Sequence, residues 1–512
     1  MNVSTALRAG VRLLSEYSAL VLPVALLAAG LVGVSRVPLV VAGLAAFAFV
    51  SADGRLGTLL RELQAVDPSV LDGDFGEPGV GGSGPVDPGS VGPESLPPGL
   101  TDAVTALLTP EVLFLVGGGG LASLVLGFVL SPLATAARLH TVVGLLRDED
   151  GVRAAILGAP RDWRSLLGVR VLFVGALLVA LAPTLAGAAL VPVSNVLGIV
   201  GFLLGGLVSF VLATAVLLLF AFAGPAVVVD DASAFDAVER SARFPFRRTE
   251  AFLGYVAVVF GVLVAAGAVN ALVAVGGAAR VGSLVGILLV TPVLDGFATA
   301  LYAERDLPPR ATPALADRLR EAFLGGLRAL GAFVRGHPIA NAASAALFAA
   351  GLVGGWAATA PVGTRLPIRG EIGAVFGSFP VATFANLAAN NWLVAADLAY
   401  GGVAAGVPTV VNLLLNGVVV GALGGVFDPV TFAALVVPHG ILEVPAIVFG
   451  GGLGLWLGSV GLRAVRGRTS ATGVAAAIRQ AYRVLLGLVP LFVVAAFVEA
   501  FLTPLVASLI VG

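Results

Sequence analysis

The residues of this chain that could do chemistry are few, and most sit inside apolar sequence in its last third. Asn386, Asn390 and Asp397 fall at i, i+4 and i+11, on one face of one helix. Asn412 and Asn416 share a face of the next segment, His439 and Glu443 a face of a later one, and Glu499 stands in the last. An ionised carboxylate at mid-bilayer costs about 2.5–3.5 kcal/mol on insertion scales. Glu443 and Glu499 therefore need a partner, a proton or water, and His439, one turn before Glu443, is the local candidate. Pro438, Gly440 and Pro445 flank the pair and predict a broken, kinked or re-entrant helix, tolerable where protein or a cavity surrounds it. Two readings stay open: a constructed polar centre, or a structural knot of interhelical hydrogen bonds worth about 0.6–2 kcal/mol each.

His-x-x-x-Glu supplies two zinc ligands where a site needs three or four. The other histidines, His140 and His337, lie at distant helix ends. A metal-dependent intramembrane hydrolase would have to recruit Glu499 and Asp397, so the expectation is no catalytic residue, no metal and no cofactor. Cysteine is absent, which removes disulfides and thiolate chemistry. The glycines at 117–120 lack the Lys and Ser/Thr of a phosphate-binding loop. No Gly-x-Ser-x-Gly elbow appears, and basic–aromatic clusters for nucleic acid are missing.

The elements that position these residues must be membrane helices. The chain has 512 residues, 58% hydrophobic and 12% charged, with mean hydropathy +1.03; a soluble chain carries about 25% charged residues. Apolar runs at 18–50, 112–133, 171–193, 196–229 and 252–275 approach or exceed the ~20 residues that cross a bilayer. Five more follow from position 337, at about 338–360, 373–399, 402–424, 430–460 and 485–510, and another lies at 281–302. Continuous rather than alternating runs exclude a barrel. The fold class expected is all-α: a polytopic transmembrane bundle of about eleven crossings. Arg36 and Pro38 divide the first run, which reads as one kinked crossing or a tight hairpin.

Charge sets the expected orientation. Net charge is −1, with no lysine; all-arginine usage beside so much Ala, Val and Gly fits a GC-rich prokaryotic genome. Residues 67–102 hold seven acidic residues and no basic one, among many Gly and Pro, and are expected to be a disordered loop. The stretches 138–170, 240–248, 305–335 and 463–483 are arginine-rich, which places them in the cytoplasm. By parity the N-terminus is cytoplasmic and loop 67–102 extracytoplasmic. Residues 4–17 predict an amphipathic interfacial helix with Leu7, Val11 and Leu14 on its apolar face. A second is predicted at 314–335, with Leu315, Leu319, Phe323, Leu327 and Leu330 at helical spacing.

The ordered polar residues carry a resemblance. An Asn-containing helix at Asn390 or Asn391, the pair Asn416-Gly417, and Pro-His-Gly-Ile-Leu-Glu-Val-Pro-Ala at 438–446 occur in that order. Gly-rich sequence at 450–458, then Glu499 and Thr503-Pro504, follow. In this the region 337–512 resembles the stage II sporulation protein M family of integral membrane proteins. In sporulating members the family acts within a membrane complex that recruits and localises cell-wall-degrading partners. The resemblance implies a non-enzymatic scaffold or assembly role here. The loop at 225–248 resembles that of prokaryotic multi-pass domains such as the membrane domain of some glycerophosphodiester phosphodiesterases; it also reads as a capped interfacial helix starting near Asp231 and Ser233.

The organisation expected is a multi-pass module over 1–310, an amphipathic cytoplasmic linker helix over 311–336, and the family-like membrane domain over 337–512. Expected partners are membrane lipid, other membrane or envelope proteins, and a homo-oligomeric copy, with no nucleic acid. The alternative function is a transporter or channel whose path is lined by His439, Glu443, Glu499, Asn390 and Asn416.

Overall fold

The computed structural model describes residues 1–65, 98–311, 313–362 and 380–511, all helix, turn or coil with no strand among them. In chain order the helices begin with α1 (Val3–Glu16), α2 (Ser18–Gly33), α3 (Val37–Ala52) and α4 (Arg55–Ala65). Next come α5 (Pro98–Leu107), α6 (Pro110–Leu146), α7 (Gly151–Ala188) and α8 (Asn195–Leu219). Then follow α9 (Ala223–Asp230), α10 (Ala234–Arg247), α11 (Thr249–Val275), α12 (Ala279–Val285) and α13 (Thr291–Ala303). The last are α14 (Leu315–Gly336), α15 (Pro338–Thr359), α16 (Pro380–Gly401), α17 (Val407–Val426), α18 (Pro429–Val465), α19 (Ala471–Phe497) and α20 (Thr503–Val511).

Ten helical runs among the described residues are long and apolar enough to cross a membrane. None of the apolar window of α6 or of α11 is buried, and Phe114, Leu272 and Val275 are at least three-quarters exposed. Helices this apolar with so little packed on them are stable only in lipid. The chain is therefore an all-α, multi-pass membrane protein. Helix α16, at an eleventh expected position, is lowered in hydropathy by Asn386, Asn390, Asn391 and Asp397; the start of that expected segment, 373–379, lies outside the described residues.

Several local expectations change. Most of the acidic loop lies outside the described residues, but its end, 98–102, is the first part of α5, with Leu100 and Ala103 buried. In α1 the face against the protein is Ala6, Ala9, Gly10 and Leu13, while Val11 is 51% exposed. The small residues win that face because they let backbones approach: a Cβ on Gly10 would strike the Val293 carbonyl of α13. Helix α10 is capped as expected, by the Ser233 side chain, with Asp231 left-handed at φ 51°. Helix α14 forms, with Leu315 and Leu319 exposed and Leu330 buried.

Two π-turns interrupt helical runs, at Gly286–Val290 and Val498–Leu502. Each is followed by Thr-Pro, Thr291-Pro292 and Thr503-Pro504. A proline ring clashes with the carbonyl four residues back, here Leu288 and Ala500, both inside the π-turn, whose wider winding accommodates it.

The chain forms two compact units, each gathered from three stretches. One comprises Met1–Val32, Gly127–Leu330 and Leu457–Gly487. Its core joins Leu13, Tyr17, Val142, Leu145 and Leu307, beside an aromatic cluster in which Phe222 stacks on Phe244 at 4.1 Å and Tyr255 on Phe297 at 5.5 Å. Arg12 clamps this unit from α1, donating to both Glu16 carboxylate oxygens at 2.8 and 2.9 Å and to the Pro308 carbonyl at 2.8 Å. Asp150 caps α7 by accepting from the Val152 and Arg153 N–H groups and binds Arg479 at 2.8 Å. Partial burial pushes its carboxyl up, but those donors and the guanidinium together hold it below its ordinary value.

The other unit comprises Gly33–Leu126, Gly331–Trp456 and Leu488–Gly512. Its tightest joint is between α15 and α17, which meet through two glycine pairs four residues apart. A Cβ on Gly351 or Gly355 would strike the Leu414 or Val418 carbonyl, and one on Gly417 or Gly421 the Phe348 or Leu352 carbonyl. Reciprocal glycines of this kind let two membrane helices touch backbone to backbone.

Candidate functional site

The site is built within that second unit. Helix α18 runs unbroken for 37 residues with Pro438 and Pro445 inside it, so the chain neither breaks nor re-enters at Pro438, Gly440 or Pro445. Each proline removes one N–H, yet the remaining ladder and the packing around so long a helix carry it through. His439 and Glu443 consequently keep strict helical spacing and lie on one face, one turn apart. Glu499 is placed by the π-turn at Val498–Leu502.

These three converge. One ligand-type atom from each of His439, Glu443 and Glu499 lies within 4.8 Å of the others. The charged partner nearest His439 is Glu499, whose Oε1 stands 4.0 Å from Nε2, rather than Glu443 as helix spacing suggested. That separation is too long for a hydrogen bond. His439 Nδ1, Glu443 Oε2 and Glu499 Oε2 are buried with no hydrogen-bond partner among the described residues. All three side chains are half-buried, with 14% exposure for His439 and 19% for Glu499. The arrangement concentrates a basic nitrogen and two carboxyls in an apolar bundle, chemistry suited to holding a proton or a cation.

The remaining expected residues make other contacts. Asn390 donates to the Asn391 side chain at 3.1 Å. Asn416 turns back on its own helix, donating to the Asn412 carbonyl at 2.7 Å. Asp397 lies 3.6 Å from Arg36 and packs against Gly33, so it is bound elsewhere than a hydrolase built on Glu499 and Asp397 would require. Asn386 is half-buried on α16 and already engaged.

Sequence reasoning passed over the small hydroxyl residues that join helices. Ser344 donates to the Val448 carbonyl at 2.8 Å, Thr409 to Leu398 at 2.7 Å and Thr359 to Ala422 at 3.0 Å. Lone Ser and Thr in apolar helices give no signal, because the same side chains can instead bond their own preceding turn. Gly351 and Gly355 were missed too, though their spacing repeats that of Gly417 and Gly421. In the other unit His140 binds buried Asp162 at 2.8 Å, and Arg161 bridges Asp162 to Asp231. The adjacent Arg161-Asp162 pair inside a helical run was the available clue.

Residues 344–504 match the family model described as Stage II sporulation protein M. No curated protein and no solved structure matches the chain. The matched stretch contains all eight polar positions singled out from the sequence, including the convergent three. Over residues 344–504, about a third of its length, the chain is thus similar to the stage II sporulation protein M family.

Proposed function

We propose that this protein is a non-enzymatic membrane scaffold that organises a complex of membrane or envelope proteins. The observation that carries this reading is where the polar groups of the matched domain go. Ser344, Thr359 and Thr409 each reach across to the backbone of another helix, and the paired glycines of α15 and α17 bring backbones into contact. Such joints favour one rigid arrangement of helices over a moving one. The module over 1–310, the linker helix over 311–336 and an extracytoplasmic loop 67–102 would then be contact surfaces on the two sides of the membrane.

Isolation of the tagged protein from native membranes in gentle detergent, quantified by mass spectrometry, tests this. A partner near equal stoichiometry, lost with a Gly355→Val change that loosens the α15–α17 joint, supports scaffolding. A wild-type protein that purifies alone from native membranes contradicts it.

A second reading, transport, is favoured by the convergence of His439, Glu443 and Glu499 inside membrane sequence. Proteoliposomes that pass protons or cations, and stop with Glu443→Gln, would support it; sealed proteoliposomes would count against it.

A further inference from the structure

The convergent triad has properties that neither a hydrogen-bonded knot nor an ion pair explains. In a knot, buried donors and acceptors satisfy one another. Here one atom from each side chain comes within 4.8 Å of the others, yet His439 Nδ1, Glu443 Oε2 and Glu499 Oε2 find no hydrogen-bond partner among the described residues. The shortest charged approach is 4.0 Å, between His439 and Glu499. Polar atoms that gather without bonding one another are arranged as ligands are arranged.

The charges point the same way. Two carboxylates cannot both ionise side by side in an apolar bundle without a counter-charge. The chain has no lysine, and among the described residues the only cationic group paired with any of the three is His439 itself. A dication cancels both carboxylates while leaving the imidazole neutral, the form in which it ligates metal.

We propose that His439, Glu443 and Glu499 bind a divalent transition-metal ion such as Zn²⁺ within the membrane. One imidazole nitrogen and two carboxylate oxygens are ligands accepted by zinc and by manganese. Metal–ligand bonds of about 2.0–2.2 Å place neighbouring ligands roughly 3–4 Å apart. The triad reaches that spacing with side-chain adjustments of about an ångström. Two ligands come from adjacent turns of α18 and the third from the π-turn before α20, so the ion ties the terminal helical run to α18. A count along one helix stops at two ligands; the third is supplied by folding. The proposal does not depend on the scaffold reading, since a bound ion can brace a scaffold or occupy a transport path.

The test is metal analysis of the whole protein in detergent. The protein is stripped with dipicolinic acid, loaded with ZnCl₂ or separately MnCl₂, washed, and measured by inductively coupled plasma mass spectrometry. Wild type should retain about one equivalent of one of the two metals. His439→Ala and Glu499→Gln should each fall to background, while Glu111→Gln, which removes a carboxylate elsewhere, should bind as wild type does. Circular dichroism and size-exclusion profiles establish that each variant is folded. Should the variants fail to fold, the wild type decides: its melting temperature should rise on loading and return on stripping. Wild type that retains no metal, or whose metal persists in both folded triad variants, would overturn the proposal.

Discussion

The α15–α17 joint allows one residue to be compared with its neighbour. A Cβ at Gly355 would strike the Val418 carbonyl and the Ala422 N–H. One at Gly354 would meet nothing within 4 Å. Alanine is favoured over glycine inside a helix by about 0.5–1 kcal/mol, so Gly354→Ala should be neutral or slightly stabilising. At Gly355 the same gain is opposed by overpacking, which costs about 1–3 kcal/mol in a close-packed joint. The obstacle is backbone on the partner helix and cannot turn aside as a side chain can. The net expectation for Gly355→Ala is a loss of about 1–2 kcal/mol, and Gly355→Val should lose more. Thermal unfolding in detergent, followed by the fraction still monodisperse, reads the difference. Gly421→Ala should behave like Gly355→Ala, since its Cβ would strike the Leu352 carbonyl from the other side. Equal effects at 354 and 355, or no effect at 355, would refute the backbone-contact geometry.

Arg12→Ala should destabilise by about 2 kcal/mol in the same melt, since it loses charge-assisted bonds to Glu16 and to the Leu307 and Pro308 carbonyls. Arg8→Ala, whose bonds are at 3.4 Å to its own helix, should change little. Hydrogen bonding to Arg12 lowers the Glu16 carboxyl below its ordinary value; its contribution is thus complete above the ordinary carboxylate range and lost as pH falls through the lowered value. Wild type should accordingly lose more stability than Glu16→Gln when melts are taken below about pH 4. The absence of cysteine makes single-cysteine labelling direct: a membrane-impermeant maleimide added to intact cells should label Ser83→Cys and leave Thr469→Cys unlabelled until the membrane is opened, the reverse pattern inverting the proposed orientation.

What was legible in the sequence follows from which signals are local. Helix type and span came through because bilayer thickness sets the length of an apolar run, and the run Asn195–Asp230 and helix α11 fall within a few residues of their expected limits. The Ser233 cap was readable because capping involves residues three apart. The Pro-His-Gly-Ile-Leu-Glu-Val-Pro-Ala stretch marked the region, but whether its prolines end the helix or are carried through, as they are in α18, is not contained in a local breaker signal. The pairing of His439 with Glu499 was illegible for the same reason, since the residues are joined only by folding and by a π-turn whose register the sequence does not announce. The glycines at 351 and 355 show the opposite failure, a pattern in plain view that acquires meaning only once its partner helix is known.

Whether the intramembrane triad acts as one centre is tested most directly by a double-mutant cycle on His439 and Glu499. His439→Ala, Glu499→Gln and the double variant would be melted beside wild type in the same detergent. If the two side chains share one centre, their effects are non-additive by about 0.6–1.7 kcal/mol, the range of coupled polar pairs in membrane bundles, so the second substitution costs less once the first is made. Strict additivity would mean that each side chain answers to different surroundings, and the centre would not exist as a unit.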